Sequence, residues 1–310
     1  AGCRVIVGDR QGNVSTISTV TQVPKFLLGH TASVITRLAL SPHQNQFVLS
    51  ADRDEKVRIS RFPTTFDIAG FCLGHENYVS ALDVAPFPVG FPSDPNAEGQ
   101  RFLAFSGAGE GLVRVWLAPA ATLLTTIDVA HSAQRSIVSL SYCPHSQMLG
   151  VTVDGLATVF VYHLHFEVTA SETGAVEVRA GTVTTLKQIT PGVTSTGRED
   201  TTAASTTTTA TSSDNDSGVP RPPLVKFDSN GILFVLSQKS LRAFHHSESL
   251  GFTPVSNDDA RGKAAAAISA HLSQLATDSW GKCLSIRCIY LRDTLVYCEF
   301  CFVVHDSGCC

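Results

Sequence analysis

The apolar residues of this chain fall into short runs of Val, Ile, Leu and Phe, and turn-forming residues separate the runs. Within the run from Val113 to Trp116 apolar and polar side chains alternate, and a period of two predicts a β-strand with one buried face. Helical periodicity is nearly absent, with the stretch from Ala260 to Thr277 as the main exception. The pattern therefore predicts an all-β fold.

A repeat organises these runs. Gly-His or Ala-His pairs end at His30, His75 and His131, and each is followed by an apolar stretch, a proline and a turn that leads into an alternating strand. The first two histidines are 45 residues apart; the next interval is 56 and contains an inserted loop, Pro86–Gln100. A period in the low to middle forties with about four short strands per unit is typical of a WD-repeat β-propeller.

The repeats divide the chain into one partial and four recognisable blades, whereas such a propeller commonly has about seven blades. An open propeller would expose strand edges, so we expect the natural protein to be longer at its N-terminus. The predicted domains are propeller blades in residues 1–190, a disordered insertion in 191–219, further blade strands in 220–282 and a Cys-rich tail in 283–310.

Two of these boundaries have specific evidence. From Thr194 to Gly218, 14 of 25 residues are Ser or Thr, which cannot bury enough apolar surface to order the segment. After it, Leu224–Phe227, Ile232–Leu236 and Leu241–Phe244 are interpreted as strands b, c and d of a blade, with turn residues at Asp228–Gly231.

Composition narrows the function classes. Hydrophobic residues make up 43% of the chain, charged residues 16%, and the formal net charge is −4, which excludes wholesale disorder and a basic protein that coats nucleic acid. No run of about 18 apolar residues predicts a membrane span. No phosphate-binding loop or Gly-x-Ser-x-Gly nucleophile motif occurs, and the glycines from Ser106 to Gly111 precede a strand, which indicates a blade turn. We expect neither catalysis nor a cofactor.

Six of the nine cysteines lie between Cys283 and Cys310. Cys298 and Cys301 have the spacing of half a zinc site, but a second pair at zinc spacing is lacking, so no metal is predicted. Two interpretations of the tail stay open, a variable terminus or translated non-coding sequence from an incorrect gene model, and the second is slightly favoured.

The repeat histidines have a structural interpretation. In WD repeats the histidine is usually buried and hydrogen-bonded to an acid in the following turn. On this basis His30 and His75 are predicted to be structural, and Asp54, Glu110 and Asp154 are the matching turn acids. Trp116 would complete one network. Ser60 and Phe160 replace it elsewhere, so those networks would be incomplete.

The segment from Ser50 to Arg61 concentrates charge, since six of the seven residues from Asp52 to Arg58 are charged. A solvated blade rim could have this composition, and so could a docking surface in which ion pairs set partner choice. Val57 and Ile59 should face the core and Arg58 should face outward, because strand side chains alternate.

This segment, followed by Phe71–His75 and Tyr78–Ser80, resembles the WD-repeat, non-catalytic subunit of the eukaryotic tRNA (guanine-N7)-methyltransferase. The resemblance is dense from Val5 to Trp116, weaker to Phe244 and absent from the Cys-rich tail. It implies a nuclear protein, with the cytoplasm as an additional location. It also implies a Rossmann-type catalytic partner that uses S-adenosylmethionine to methylate a guanosine in the tRNA variable loop, and which the propeller binds and stabilises.

By position in the motif, the resemblance assigns partner contacts to a set of charged residues: Arg53, Lys56, Arg58, Asp52, Glu55 and Glu76. Asp54 is a further candidate, with its turn role as the rival interpretation, and Glu76 is expected near Lys56 on the next blade. Many family members have a basic residue where this chain has Ala81, which removes one expected contact. The double reversal of Lys56 and Arg58 to Glu is predicted to abolish partner binding and leave the fold intact.

Two other function classes compete with this interpretation. A general WD-repeat scaffold, such as a ubiquitin-ligase or chromatin adaptor, could use the same rim charges for other proteins. An enzyme built on a propeller would need a convergent catalytic set, which the sequence lacks. Because the net charge is −4 and the pI is near 6.3, we expect tRNA affinity to reside mainly on the catalytic subunit.

Overall fold

A computed structural model gives the fold. It describes residues 3–18, 20–42, 45–86, 101–129, 135–170, 176–189, 222–228, 230–237, 240–247, 251–256, 259, 263, 266, 289–291, 294–297 and 301–305. The predicted Ser/Thr-rich insertion and His131 lie outside these residues. Across the described part of the chain, no helix has the length and apolarity to cross a bilayer.

The described strands form five antiparallel sheets of four strands each and one two-stranded hairpin. The first sheet has the order β22-β1-β2-β3. Its strands are β1 (Cys3–Gly8), β2 (Asn13–Ser18), β3 (Pro24–Gly29) and β22 (Cys301–His305). The second sheet contains β4 (Ile35–Leu40), β5 (Phe47–Asp52), β6 (Val57–Arg61) and β7 (Ile68–Cys72).

The other three sheets repeat this meander along the chain. The third contains β8 (Val79–Ala85), β9 (Phe102–Ala108), β10 (Leu112–Ala118) and β11 (Thr122–Asp128). The fourth contains β12 (Ile137–Cys143), β13 (Met148–Val153), β14 (Val159–Ala170) and β15 (Val176–Ile189). The fifth contains β16 (Leu224–Phe227), β17 (Leu233–Ser237), β18 (Ser240–Ser247) and β19 (Gly251–Pro254). The hairpin is formed by β20 (Ile289–Leu291) and β21 (Thr294–Tyr297). These sheets are the blades of a WD40-type β-propeller, and the predicted fold class is confirmed; the seven-bladed count stays a prediction.

The first strand of each successive blade packs against the first strand of the next, and polar side chains join them. Asp83 of β8 accepts hydrogen bonds from the Tyr142 backbone N–H of β12 and from Lys226 Nζ of β16, both at 3.0 Å. Ser141 Oγ accepts a hydrogen bond from the Phe227 backbone N–H at 3.1 Å. β16 is therefore the innermost strand of the fifth blade. The three strands that were predicted to be b, c and d of this blade are its first, second and third strands, so that assignment was wrong.

The cysteine-rich tail contributes one strand to the propeller. β22 pairs with β1 along five residues, from Cys3 opposite His305 to Val7 opposite Cys301. The expectation that resemblance to a blade stops at Cys283 is therefore wrong for Cys301–His305. The chain order separates the two strands by almost the whole sequence, so no local pattern could have paired them.

The core lies between neighbouring sheets, where short apolar runs bury their inward faces. Phe47 and Phe102 join blades two and three with ring centroids 5.9 Å apart, and Phe105 stacks on Tyr142 of the next blade at 4.6 Å. Cys72 is fully buried, and burial raises the pKa of its thiol to about 12, so this cysteine is an unreactive packing residue. Packing between neighbouring sheets holds the surface turns on a rigid frame.

Candidate docking surface

The charged segment folds as the turn between β5 and β6, and its first aspartate closes that turn. Asp52 Oδ1 accepts hydrogen bonds from the backbone N–H groups of Asp54 at 2.9 Å and Lys56 at 3.4 Å. Asp9 and Asp228 make the same pair of contacts, two and four residues ahead, in the first and fifth blades. An Asp side chain that accepts a hydrogen bond from the backbone N–H two residues ahead commonly forms a turn. The turns of these three blades therefore have the same hydrogen-bond pattern.

Asp52 is also the acid that contacts the repeat histidine. Its Oδ2 lies 2.7 Å from His30 Nδ1 and 3.2 Å from Lys56 Nζ, and its side chain is 0% exposed. Burial alone would raise the pKa of Asp52, but the hydrogen bond and charge of His30, followed by those of Lys56, outweigh it and hold the pKa below its ordinary value. The assignment of Asp54 as this acid was wrong, because Asp54 is 55% exposed at the turn tip.

The second histidine network places its acid differently. His75 Nδ1 lies 2.6 Å from Glu110 Oε1, and its Nε2 lies 2.7 Å from Ser106 Oγ. Trp116 Nε1 donates to the same Ser106 oxygen at 2.8 Å. Ala108 occupies the strand-end position that Asp52 has in the preceding blade, so the longer Glu110 reaches back from the turn tip to the histidine.

Two predicted network positions remain, Ser60 in the second blade and Asp154 in the fourth. His30 Nε2 lies 2.7 Å from Ser50 Oγ, so the histidine of the second blade is bonded on both ring nitrogens although Ser60 replaces the tryptophan. The Asp154 backbone accepts a hydrogen bond from Arg135 Nη1 at 3.3 Å. Its expected histidine, His131, lies outside the described residues, so the turn-acid role of Asp154 stays a prediction.

Glu55 has a positive φ at a turn position where the other blades have glycine. Its φ is +69°, and the corresponding turn residues Gly12, Gly111, Gly155 and Gly231 have φ values between +71° and +91°. A side chain in the left-handed region costs roughly 1–2 kcal/mol. The Glu55 side chain is exposed, so no burial offsets this cost within the chain.

Arg58 joins two blades, whereas the alternation pattern predicted that it faces outward. Val57 and Ile59 are buried as expected, but the half-buried Arg58 guanidinium donates to three acceptors. They are Ser60 Oγ at 2.9 Å, the Gly29 carbonyl of the first blade at 3.2 Å and the Thr65 carbonyl at 2.9 Å. Burial lowers the pKa of Arg58 from its usual high value. These contacts are a reason to expect that reversing Arg58 would disturb the fold, and the predicted effect of the Lys56 and Arg58 reversal stays untested.

The structure thus divides the six assigned docking residues. Asp52 is fully buried and is removed as a docking contact, while Arg58 and the one-third exposed Lys56 are held by intramolecular partners. Arg53, Glu55 and Glu76 are exposed. Glu76 follows the second histidine, and in the described chain it makes no ion pair with Lys56, whose acidic partners are Asp52 and Asp54. We define the docking turn as residues 52–56.

Sequence reasoning missed a group of exposed apolar side chains beside this turn. Five of them lie on or next to the outer strands β3 and β7: Phe26 (61% exposed), Phe66 (84%), Ile68 (42%), Phe71 (40%) and Leu73 (63%). We call these five residues the apolar seam. The available signal was the continuous apolar and aromatic content of both segments, which an edge strand facing only water would not need.

The arrangement suits binding rather than catalysis. In the described part of the chain, no three His, Cys, Asp or Glu side chains are grouped to hold a metal ion. Cys298, Cys309 and Cys310 lie outside the described residues, so the predicted absence of a zinc site in the tail stays a prediction. The two histidine networks are buried and internally bonded, whereas the exposed turn charges and the apolar seam are groups that a partner can reach.

Buried histidine–acid networks on four-stranded blades define the class of this protein as a WD-repeat propeller. Residues 9–217, about two thirds of the chain, match the family described as tRNA methyltransferase TRM82 WD40 domain. The chain belongs to this family.

Individual relatives agree with this assignment. The chain is 35% identical over 112 residues to the tRNA (guanine-N(7)-)-methyltransferase non-catalytic subunit wdr4 of Dictyostelium discoideum, covering 36% of this chain and 21% of that protein. It is 27% identical over 172 residues to WDR4 of Homo sapiens, covering 52% and 38%, and 36% identical over 129 residues to WDR4 of Mus musculus, covering 41% and 28%. The matches span about a fifth to two fifths of the length of these relatives.

Proposed function

We propose that this chain is a non-catalytic accessory subunit of a tRNA guanine-N7 methyltransferase. In this role it binds and stabilises a separate Rossmann-type catalytic subunit, forming a heterodimer that methylates a guanosine in the tRNA variable loop. Family membership supports the proposal, and so do the names of the relatives, each of which is a non-catalytic subunit of that enzyme.

The observation that carries the proposal is the docking turn. Buried Asp52 accepts hydrogen bonds from the backbone N–H groups of the turn, and the turn presents exposed Arg53 and Glu55, one cation and one anion within three residues. Paired charges of this kind favour a specific protein partner of complementary charge over nonspecific binding. The exposed part of Lys56 adds a second cation to this turn, and the exposed Glu76 follows the second histidine, His75.

Direct binding of tRNA is a minor part of the proposed role. The net charge of −4 and the balance of acids and bases in the docking turn do not provide the clustered cations that phosphate binding requires. We propose that the catalytic subunit supplies most of the tRNA affinity and that the complex acts in the nucleus. A filter-binding assay would contradict this division if the isolated propeller bound tRNA tightly and in a salt-sensitive manner.

The experiment is a binding titration between this chain and the catalytic methyltransferase subunit of its source organism. We expect Arg53→Glu to weaken binding at least tenfold. The matched control is Arg10→Glu, because Arg10 is exposed and follows Asp9 in the first blade as Arg53 follows Asp52 in the second. Equal binding by both variants and the unmodified chain would remove the docking assignment.

The partner itself is tested by affinity capture from the source organism. Recovery of one methyltransferase, together with loss of 7-methylguanosine from tRNA when the gene is deleted, would support the accessory role. Capture of ubiquitin-ligase or chromatin components without a methyltransferase, and unchanged tRNA methylation, would overturn it in favour of the general scaffold.

A further inference from the structure

The apolar seam is one continuous surface rather than a scatter of exposed residues. A Cβ atom on Gly29 would lie 3.6 Å from the ring of Phe26, and the Gly29 carbonyl accepts a hydrogen bond from Arg58. Arg58 is the cross-strand neighbour of Phe71. The Gly29 backbone near the Phe26 ring is thus bonded to Arg58, which pairs in register with Phe71, so the two exposed rings lie on either side of the boundary between the first and second blades.

The other end of the seam is fixed in the same way. Thr65, which precedes Phe66, donates from its hydroxyl to the Leu27 carbonyl at 2.5 Å, and its own carbonyl accepts from Arg58 at 2.9 Å. The backbone next to Phe66 is therefore held beside β3, while the Phe66 ring is 84% exposed. A backbone that is already held in place loses little freedom when a partner covers it, which favours binding.

The outer strand of the third blade lacks such a surface. In the third blade β11 occupies the same outer position, and its exposed large apolar side chain is the single Leu123. Isolated exposed apolar residues are normal in soluble proteins, whereas clusters rimmed by polar residues mark interaction sites. The seam is such a cluster, and the docking turn is its rim.

The docking turn is close to the seam along the chain and across the blade boundary. Asp52 of the turn contacts His30, the residue after Gly29, at 2.7 Å, and Arg58 lies two residues after the turn. Arg58 donates to three acceptors, so a partner covering it would not bury an unpaired charge. Asp54 and Glu55 at the rim would repel an anionic lipid surface, which leaves a protein as the fitting partner.

We propose that the apolar seam is the energetic centre of the interface with the catalytic methyltransferase subunit and that the docking turn is its polar rim. The partner then presents an apolar face, which covers the three phenylalanine rings, bordered by charges complementary to Arg53 and Glu55. This inference rests on the proposed function. Buried aromatic anchors surrounded by a polar rim are the usual energetic centre of protein interfaces.

The test measures the dissociation constant of the complex for Phe66→Ser and for the double variant Phe26→Ser/Phe71→Ser. We expect each to weaken binding at least tenfold, and we expect the melting temperature of free Phe66→Ser to stay within about 2 °C because that ring is 84% exposed and adds little to folding. Leu123→Ser is the matched control, since Leu123 is an outer-strand residue that is 46% exposed, and it should bind as the unmodified chain does.

The outcomes separate the two proposals. If the unmodified chain binds the catalytic subunit and the seam variants bind equally well, the seam inference is wrong and the accessory role stands. If the unmodified chain does not bind that subunit, the proposed function itself fails. If light scattering shows that the unmodified chain dimerises and the seam variants do so no longer, with catalytic-subunit binding unchanged, the seam is a self-association surface and the inference is overturned.

Discussion

Replacing Asp52 should destabilise this protein far more than replacing Asp54, although the two residues are neighbours in one charged segment. Asp52→Ala removes acceptor contacts to His30 Nδ1 at 2.7 Å, to Lys56 Nζ at 3.2 Å and to the Asp54 and Lys56 backbone N–H groups at 2.9 and 3.4 Å. It also leaves His30 buried without its acid.

The size of the effect follows from these contacts. Hydrogen bonds to a charged group contribute about 1.5–3 kcal/mol each, and breaking a buried ion pair costs about 3–5 kcal/mol in all, so we expect a loss of about 4 kcal/mol. That is a large fraction of a typical unfolding free energy of about 5–15 kcal/mol. At about 2–4 °C per kcal/mol, the melting temperature should fall by roughly 10 °C.

The assay is thermal unfolding followed by circular dichroism, with Asp54→Ala as the control. The Asp54 side chain is 55% exposed and lies 3.7 Å from Lys56 Nζ, so its removal should cost about 0.5 kcal/mol or less. Equal destabilisation by the two variants would refute the argument that the buried acid organises the turn, and a larger effect at Asp54 would restore the assignment made from sequence.

The pH dependence of stability provides a second test of the same residue. Because the folded-state pKa of Asp52 is lowered, its ionised form stabilises the fold above the ordinary value of 3.8, and this contribution is lost as the pH falls through the folded pKa. The stability difference between the unmodified chain and Asp52→Asn should therefore be largest near neutral pH and shrink below about pH 3.8. A difference that stays constant down to the acid transition would contradict a charged Asp52.

The remaining predictions concern the inter-blade contact and the turn backbones. Arg58→Ala should destabilise the fold by about 2–4 kcal/mol because three acceptors lose their donor, with a matching fall in urea midpoint, whereas the exposed Arg53→Ala should leave the midpoint unchanged. Glu55→Gly should raise stability by about 0.5–1 kcal/mol. Glycine removes the cost of the left-handed backbone, and this gain exceeds the loss of stability that comes from the higher conformational entropy of the unfolded chain. Gly12→Ala should do the opposite, because its Cβ would lie 2.5 Å from the Ser33 carbonyl oxygen; a stabilised Gly12→Ala would show that φ and crowding do not govern these turns. Trp116→Phe should cost about 1 kcal/mol through the lost hydrogen bond to Ser106, and an unchanged midpoint would argue against that bond.

Local pattern predicted the strands well because each blade is built from neighbours in sequence. Alternation placed Val57 and Ile59 in the core, and the repeat located the histidines that end the blades. The sequence pattern did not predict the length of the hairpin formed by β14 and β15, which have 12 and 14 residues. Beyond His163, β14 extends past its pairing with β13, so the blade repeat gives no signal for this part.

The acid assignments show where the pattern failed. Counting from the strand that follows, Asp54 and Glu110 are equivalent, and a sequence gives no reason to choose between Asp54 and Asp52. The choice depends on reach: an aspartate at the end of β5 is already beside His30, while the third blade has Ala108 there and needs the longer glutamate. Side-chain length and backbone position decide the contact together, and only the folded turn fixes both.

The sequence by itself determined the all-β repeat architecture, the buried histidines and the charged turn, since these follow from alternation, spacing and turn chemistry within one blade. The tertiary structure alone decided which charges stay available to a partner. Asp52 is bonded to His30, which is 22 residues away in sequence. Arg58 is bonded to the Gly29 carbonyl of the first blade, which is 29 residues away. It also placed Cys301–His305 beside β1 and brought the Thr65 hydroxyl to the Leu27 carbonyl, because packing joins segments whose separation along the chain leaves no local signal.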